Sequence, residues 1–247
     1  MHAEDETWYS RTELLVGPDG MARLRQAHVA VVGLGGVGSY AAEALARAGI
    51  GRLTLADFDQ ISASNLNRQL FALRSTVGQP KTITAAARLR DINPEAAIIE
   101  ARDFVDEETV GALLDGGMSH VIDAIDTVRA KVALLAAAHQ RGLRVVSCMG
   151  AANKLDPLGI KVGDLSRTRD CPLAKAVRLR LRARGITSGI LCVYSGDNRK
   201  TCRKTDEPDA RRKRWAQGSI SYMPAIMGLT AAGLVIREIA GGGEPRP

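Results

Sequence analysis

A three-layer α/β fold, with helices on both faces of a largely parallel sheet, is what this sequence of 247 residues predicts. Two observations carry the prediction. Short apolar strand signals alternate with helical ones through the first half of the chain, the pattern of successive βαβ units. A run of glycines, Gly33 to Gly38, stands where the first of these strands hands over to a helix. The length suits one large domain or one domain with a small appendage, and 45% hydrophobic residues exclude a disordered chain.

The first element, His28-Val29-Ala30-Val31-Val32, is a continuous apolar run, so it reads as a buried strand. Ser39 to Ala48 is rich in alanine and closed by Gly49, which predicts a helix. Arg52 to Asp57 is the second strand. Thr82 to Arg90 is a helix stopped by Asn93-Pro94, because proline cannot continue it. Ala97-Ile98-Ile99 is the third strand, and Asp106 to Leu114 a helix with Asp106 as its N-cap. His120 to Asp123, Arg129 to Gln140 and Leu143 to Ser147 read as strand, helix and strand. The second half changes character. Ile160 to Asp164 and Leu191 to Tyr194 are strands, expected to extend the sheet with antiparallel pairing. Cys171 to Arg184 is an amphipathic helix with Leu173, Val177 and Leu181 on its apolar face. Ser195 to Gln217 is polar and basic and is expected to be a mobile loop. Ile220 to Ile239 reads as a buried closing helix, and the glycine- and proline-rich end as a frayed tail.

Charge is unevenly placed. The net formal charge is +7, yet Lys161 to Trp215 alone holds 16 basic and 6 acidic residues. A basic region on a neutral-to-acidic body points to a polyanion partner, with nucleic acid first; a solvated surface is the plainer alternative. No apolar run reaches the ~18 residues of a membrane span. The acidic start, Met1-His2-Ala3-Glu4-Asp5-Glu6, is unlike a secretory signal. A cytoplasmic protein with no membrane association is therefore expected. The cysteines Cys148, Cys171, Cys192 and Cys202 are irregularly spaced without a C-x-x-C pair, which argues against a disulfide framework or a structural zinc. Cys148 and Cys192 read as strand core, Cys171 as a partly exposed helix start where its pKa would fall, and Cys202 as part of the basic loop.

Gly33-Leu34-Gly35-Gly36-Val37-Gly38 lets backbone approach a phosphate and aims helix N-terminal N–H groups at it. Asp57 ends the next strand, 19 residues after Gly38, where a carboxylate can accept from a ribose hydroxyl. These features alone suit a nicotinamide dehydrogenase as well as an ATP enzyme. The residues beyond Asp57 separate the two. Asp59, Ser64, Asn65, Arg68 and Gln69 form a polar cluster past the strand's carboxyl end, and Val77-Gly78-Gln79-Pro80-Lys81 leads into a helix. Arg68 and Lys81, 13 residues apart, bring two cations to one expected cleft. A dinucleotide requires no such pair, whereas attack at the α-phosphorus of a triphosphate develops charge that cations stabilise. Asp123-Ala124-Ile125-Asp126 closes the fourth strand at the same edge and offers a carboxylate to magnesium. Taken singly, Arg68 and Lys81 read equally as solvated surface and Asp126 as a helix N-cap.

Jointly, these residues resemble the ubiquitin-activating-enzyme-like adenylating superfamily, the ThiF/MoeB/HesA group. The resemblance rests on Gly33 to Gly38, Asp57-Phe58-Asp59, Ser64-Asn65-Leu66, Arg68-Gln69, Val77 to Lys81, Ile92-Asn93-Pro94, Asp123 and Asp126, and spans about half the chain. It implies a Rossmann-like ATP-binding fold in which Gly33, Gly35, Gly36, Gly38, Asp57, Asp59, Asn65, Arg68, Gln69 and Lys81 hold ATP. By the resemblance Asp57 takes the ribose, Asn65, Arg68 and Lys81 line the phosphates, and Asp126 binds Mg2+. Arg11, in Ser10-Arg11-Thr12-Glu13-Leu14-Leu15, falls where members supply an arginine finger to the partner subunit, which implies a homodimer. Arg11, Arg68, Lys81 and Asp126 are then the catalytic set. Three regions are expected: a helical arm over 1–27 carrying the finger, a nucleotide-binding core over 28–150, and an extension of the same domain over 151–247. The implied chemistry is attack of a carboxylate on the α-phosphorus, then displacement of AMP.

Gly150 to Pro157, the Asp164-Leu165 to Lys175 segment, Val193-Tyr194-Ser195 and Gly218 to Pro224 are similar to one branch, the tRNA threonylcarbamoyladenosine dehydratases. That branch implies tRNA as substrate and ring closure of a threonyl carboxylate with net loss of water, the nucleophile lying within the substrate. A sulfur-transfer partner of the cysteine desulfurase kind is a further expectation from some relatives. The main alternative is an activator of a small sulfur-carrier protein, which would usually bring zinc-binding cysteine pairs. A nicotinamide oxidoreductase would leave Arg68, Lys81 and Arg11 without a joint use, and a nucleotide-gated RNA-binding protein would turn over neither ligand. Lys154 and the residues around Asn153 are candidates for the modified base, and Arg211-Arg212-Lys213-Arg214 for RNA contact.

Overall fold

The computed structural model describes residues 7–197 and 217–241. The chain opens with α1 (Ser10–Gln26), β1 (His28–Val32), α2 (Gly38–Arg47) and β2 (Arg52–Ala56). It continues through α3 (Lys81–Ile92), β3 (Ala97–Ala101), α4 (Val110–Leu114), β4 (His120–Asp123), α5 (Val128–Gln140) and β5 (Arg144–Cys148). Then come β6 (Ile160–Asp164), α6 (Pro172–Arg182), β7 (Leu191–Ser195) and α7 (Tyr222–Ile239). All seven strands form one sheet in the order β3-β2-β1-β4-β5-β7-β6. The antiparallel pairing expected in the C-terminal half is that of β6 with β7, while β7 itself joins β5 in parallel. Strand order reverses at β1, with β2 on one side and β4 on the other. Such a reversal opens a crevice beyond the carboxyl ends of the strands, where open α/β sheets take their ligands.

Helices cover both faces, which is why β1 and β4 are buried throughout rather than alternately. On one face α1, α2, α3 and α7 close over Leu24, Leu45, Leu55, Leu89 and Met227. On the other, α4, α5 and α6 close over Val121, Leu134, Leu135, Val177 and Leu181. α2 and α7 cross at close range: a Cβ on Gly228 would lie 2.1 Å from the Val37 carbonyl oxygen. α7 is long and apolar enough to cross a membrane by length and composition, with a mean hydropathy of 1.2 over 18 residues. That qualifies the expectation that no run reaches such a length. The helix nevertheless buries Met223, Met227, Ala231, Ala232 and Val235 in the core.

Several expectations are corrected. The helix expected from Asp106 starts only at Val110. Asp106 caps the preceding turn instead, its Oδ1 accepting from the N–H groups of Glu108 and Thr109 at 2.9 and 3.0 Å. Cys171 is buried, not partly exposed. The arm bends at Gly17-Pro18, where Gly17 takes φ 73°. Its second half docks on the domain, with Met21 and Leu24 buried and Arg23 Nε donating to the Ile239 carbonyl at 3.0 Å. The interior of the expected basic loop, residues 198–216 with Cys202 and Arg211 to Arg214, lies outside the described residues, as does the tail over 242–247.

Candidate active site

The glycine turn is built by contacts that exclude side chains. Gly33 has φ 92°, and a Cβ there would sit 2.8 Å from the Ala124 carbonyl oxygen. A Cβ on Gly38 would meet the Gly33 carbonyl at 1.7 Å, and one on Gly36 would press on Pro224 and the stem of Arg68. At Gly35 the nearest atom is Gln69 Nε2 at 3.8 Å, so that side of the turn is open. Glycine at 35 is therefore not demanded by the packing around it.

Beside the turn lies a carboxylate–lysine cluster. Asp57 comes directly after β2, and its Oδ2 accepts from the Leu34 N–H at 2.6 Å while Oδ1 accepts from the Asp59 N–H at 2.9 Å. This ties the second strand's end to the glycine turn. Lys81, at the start of α3, is buried rather than solvated. Its Nζ lies 2.7 Å from Asp59 Oδ2 and 3.6 Å from Asp57 Oδ2. Burial lifts the Asp57 carboxyl above its ordinary range, although Lys81 and the two N–H groups pull the other way. Residues 59–61 and 78–81 pair through Ile61 N–H to Gln79 O, Gly78 N–H to Ile61 O and Lys81 N–H to Asp59 O, which brings the Val77–Lys81 segment back to Asp59.

Asn65 is buried, and its carboxamide oxygen accepts from the Ser62 N–H at 3.1 Å. Its NH2 is the group that could meet a phosphate. Gln69 is buried next to Gly35. Arg68 Nη1 donates to the Ser64 carbonyl at 2.9 Å and to Asn67 Oδ1 at 2.8 Å, and Asn67 in turn donates to the Ser219 carbonyl at 3.0 Å. The structure therefore gathers Asp57, Asp59, Asn65, Arg68, Gln69 and Lys81 around the glycine turn.

Sequence reasoning named Asp123 but missed the buried partners, Lys131 and Ser147, that hold it. Asp123 is fully buried, and its Oδ2 accepts from Lys131 Nζ at 2.7 Å and Ser147 Oγ at 2.6 Å. Its Oδ1 accepts from the Ile125 N–H at 3.1 Å, which shapes the turn carrying Asp126. Lys131 is also fully buried. Asp126 itself is exposed just beyond β4. Among the described residues there is no group of three or more His, Cys, Asp or Glu side chains that could hold a metal ion.

Arg11 is placed elsewhere. α1 begins beside Gly49, where the Trp8 ring would lie 3.9 Å from a Cβ. Gly49 lies just past the end of α2 opposite the glycine turn, and a helix of that length spans about 15 Å. Lys154, a candidate for the modified base, is buried and donates to the Ser195 carbonyl at 2.9 Å and to the Asp197 carbonyl, so it is structural. Asn153, at φ 59°, exchanges two 2.8 Å hydrogen bonds with Gly218. Asp197 Oδ2 accepts from the N–H groups of Leu155 and Asp156 at 2.7 and 3.0 Å. Burial pushes the Cys148 thiol up to about 12 and lifts Cys192 as well, so neither is a thiolate nucleophile at neutral pH.

The fold agrees with the comparisons: a model of the ThiF family matches residues 9–247, and the chain belongs to that family. The tRNA threonylcarbamoyladenosine dehydratase of Bacillus subtilis is 42% identical over 238 residues, covering 94% of each chain. The crystal structure of Escherichia coli tRNA N6-threonylcarbamoyladenosine dehydratase in complex with AMP superposes at a TM-score of 0.87 and 36% identity, covering 95% of this chain and 94% of that one. The same enzyme in complex with ATP superposes at 0.84, also at 36% identity and with the same coverage.

Proposed function

We propose that the protein is an ATP-dependent tRNA-modifying enzyme that converts threonylcarbamoyladenosine in tRNA to its cyclic form. The observation that carries this reading is the Asp57–Lys81–Asp59 cluster locked to an open glycine turn, on a chain similar over 94% of its length to a dehydratase. The threonyl carboxylate attacks the α-phosphorus of ATP and pyrophosphate leaves. A group of the same substrate then attacks the acyl carbon, and AMP departs with the carboxylate oxygen, which accounts for the net loss of water. No protein nucleophile is needed, in keeping with the buried, protonated Cys148 and Cys192. The same economy weighs against the sulfur-carrier activator and leaves a sulfur-transfer partner without a role in ring closure. Within the cleft, the Asp57 carboxylate receives the ribose and the open side of Gly35 admits the phosphates. Arg68, the Asn65 NH2 and Lys81 offset charge that develops at the α-phosphorus. Donors fixed in place before the reaction need no reorganisation during it. Asp126 would hold Mg2+, which supplies further charge neutralisation when bound. We place Arg11 in the cleft of a second copy, because α1 starts at the far end of α2 from its own cleft, and we place the reaction in the cytoplasm.

The test is incubation of the protein with ATP, magnesium and tRNA bearing linear threonylcarbamoyladenosine, then mass spectrometry of gently digested nucleosides. Loss of one water that requires ATP is expected. An unchanged nucleoside with ATP bound would overturn the reading in favour of a protein substrate.

A further inference from the structure

Cations are not used evenly across the molecule. Arg47 and Arg88 hold Glu43, Arg90 and Arg102 hold Glu100, and Arg25, Arg141 and Arg144 meet Glu95, Asp115 and Glu238. Arg52, Arg74, Arg129 and Arg237 stand exposed without such a partner at scattered places, but between Lys161 and Arg182 such cations come close together. Lys161, Arg167, Arg169, Lys175, Arg180 and Arg182 are exposed, and their side chains have no hydrogen-bond or ion-pair partner among the described residues. Two charged side chains of the same stretch bond inward and make it rigid. Asp164 accepts from the N–H groups of Ser166 and Gly189, both at 2.7 Å. Arg178 Nη1 donates to the Thr168 carbonyl at 2.9 Å and to Thr168 Oγ1 at 2.6 Å. Arg178 thus staples the turn that carries Arg167 and Arg169 onto α6.

On α6, Ala174, Val177 and Leu181 face the core. Lys175 and Arg182, two turns apart, flank one side of the outer face and Arg180 the other, with Ala176, Leu179 and Ala183 between them. The stretch contains no aromatic residue, the usual anchor of a protein interface. Its start borders the cleft end of the sheet. A Cβ on Gly150, after β5, would lie 3.7 Å from Leu173 Cβ, and one on Gly196, after β7, 3.5 Å from Asp170 Cβ.

We propose that α6 and the turn before it form a preorganised docking surface for the sugar-phosphate backbone of a tRNA stem, and that this surface presents the modified nucleotide to the cleft. The proposal rests on the dehydratase reading and adds where the RNA lies. Phosphate contacts of this kind set position rather than sequence, and side chains already held in place lose less entropy on binding.

The experiment measures tRNA affinity across a salt series for Lys175→Gln/Arg180→Gln/Arg182→Gln and for Arg167→Gln/Arg169→Gln. A control, Arg52→Gln/Arg237→Gln, removes two exposed cations at the other end of the sheet. Each platform variant should bind about tenfold more weakly, with the salt slope reduced by about one per lost phosphate contact. ATP affinity and melting temperature should match the unsubstituted protein, and the control should bind tRNA normally. Unchanged affinity and slope in both platform variants, or an equal loss in the control, would overturn the surface alone. An unsubstituted protein that neither binds nor converts tRNA would overturn the surface and the enzymatic reading together.

Discussion

Gly33, Gly35, Gly36 and Gly38 share one turn but not one reason. Positive φ and the Ala124 carbonyl require Gly33, the Gly33 carbonyl requires Gly38, and a side chain at Gly36 would crowd Arg68 and Pro224. Only Gly35 is left open by the protein itself. Gly35→Ala should keep unfolding free energy within about 0.5 kcal/mol of the parent, yet weaken ATP binding by about tenfold, roughly 1.4 kcal/mol. Urea unfolding beside titration calorimetry separates the two effects, and normal ATP binding would mean that the triphosphate does not pass there. Lys131 presents the opposite case, a charge the fold itself needs. Lys131→Met leaves a buried carboxylate at Asp123 without its counter-charge, at a cost of about 3–5 kcal/mol. Adding Asp123→Asn should recover most of that stability in urea titrations; no recovery would show that the lysine stem, not its charge, is what matters. Local sequence hid this residue, because a lysine in a helix ordinarily points to water. Only the packing of α5 between the sheet and its neighbours turns that position inward.

At the scale of elements, α2 and α3 are joined through Glu43, which Arg47 holds at 2.7 Å and Arg88 at 2.6 Å. Burial alone would raise the Glu43 carboxyl, but hydrogen bonds from Arg88 and Arg47 hold it below the ordinary 4.5. A depressed pKa adds stability above the unfolded value, and that stability is lost as pH falls through the folded one. Glu43→Gln should therefore be less stable at neutral pH and lose less on acidification below about 4.5 than the parent does. Melting temperatures measured over an acid series test this, and parallel curves would exclude the ion pair as the source. The alternation of strands and helices was legible because each strand is a short apolar run punctuated by glycine, proline or polar residues. α4 was not legible. Asp106 has the chemistry of a cap, but it closes a turn, and the choice between turn and helix lies in the packing of Val110 and Leu114. Lys154 and Cys171 were misread because nothing near them in sequence announces β7, against which Lys154 bonds, or the α5–α6 core that encloses Cys171.

For the whole molecule, the cluster around Asp57 was legible because its residues are close in sequence and sit beyond strand ends. Arg11 is a matter of assembly. If its cleft belongs to a second copy, Arg11→Ala and Arg68→Ala should each be nearly inactive alone. Mixed in equal amounts and allowed to exchange, they should regain roughly a quarter of full activity, since half the symmetric dimers would be hybrids with one intact cleft. Absence of any regain would place Arg11 outside the partner's reaction. The segment Asn153–Asp156 carries a different consequence. It fastens Asp197 on one side and Gly218 on the other, so the chain departs and returns at a single hem. The two ends, Asp197 and Gly218, are thus tied to the same four-residue segment. Closing a longer or shorter insert there costs only about 0.6 kcal/mol per doubling of length. Those ties hold the two ends in register whatever the length of chain that joins them, so a change of length between them should leave the anchoring bonds in place.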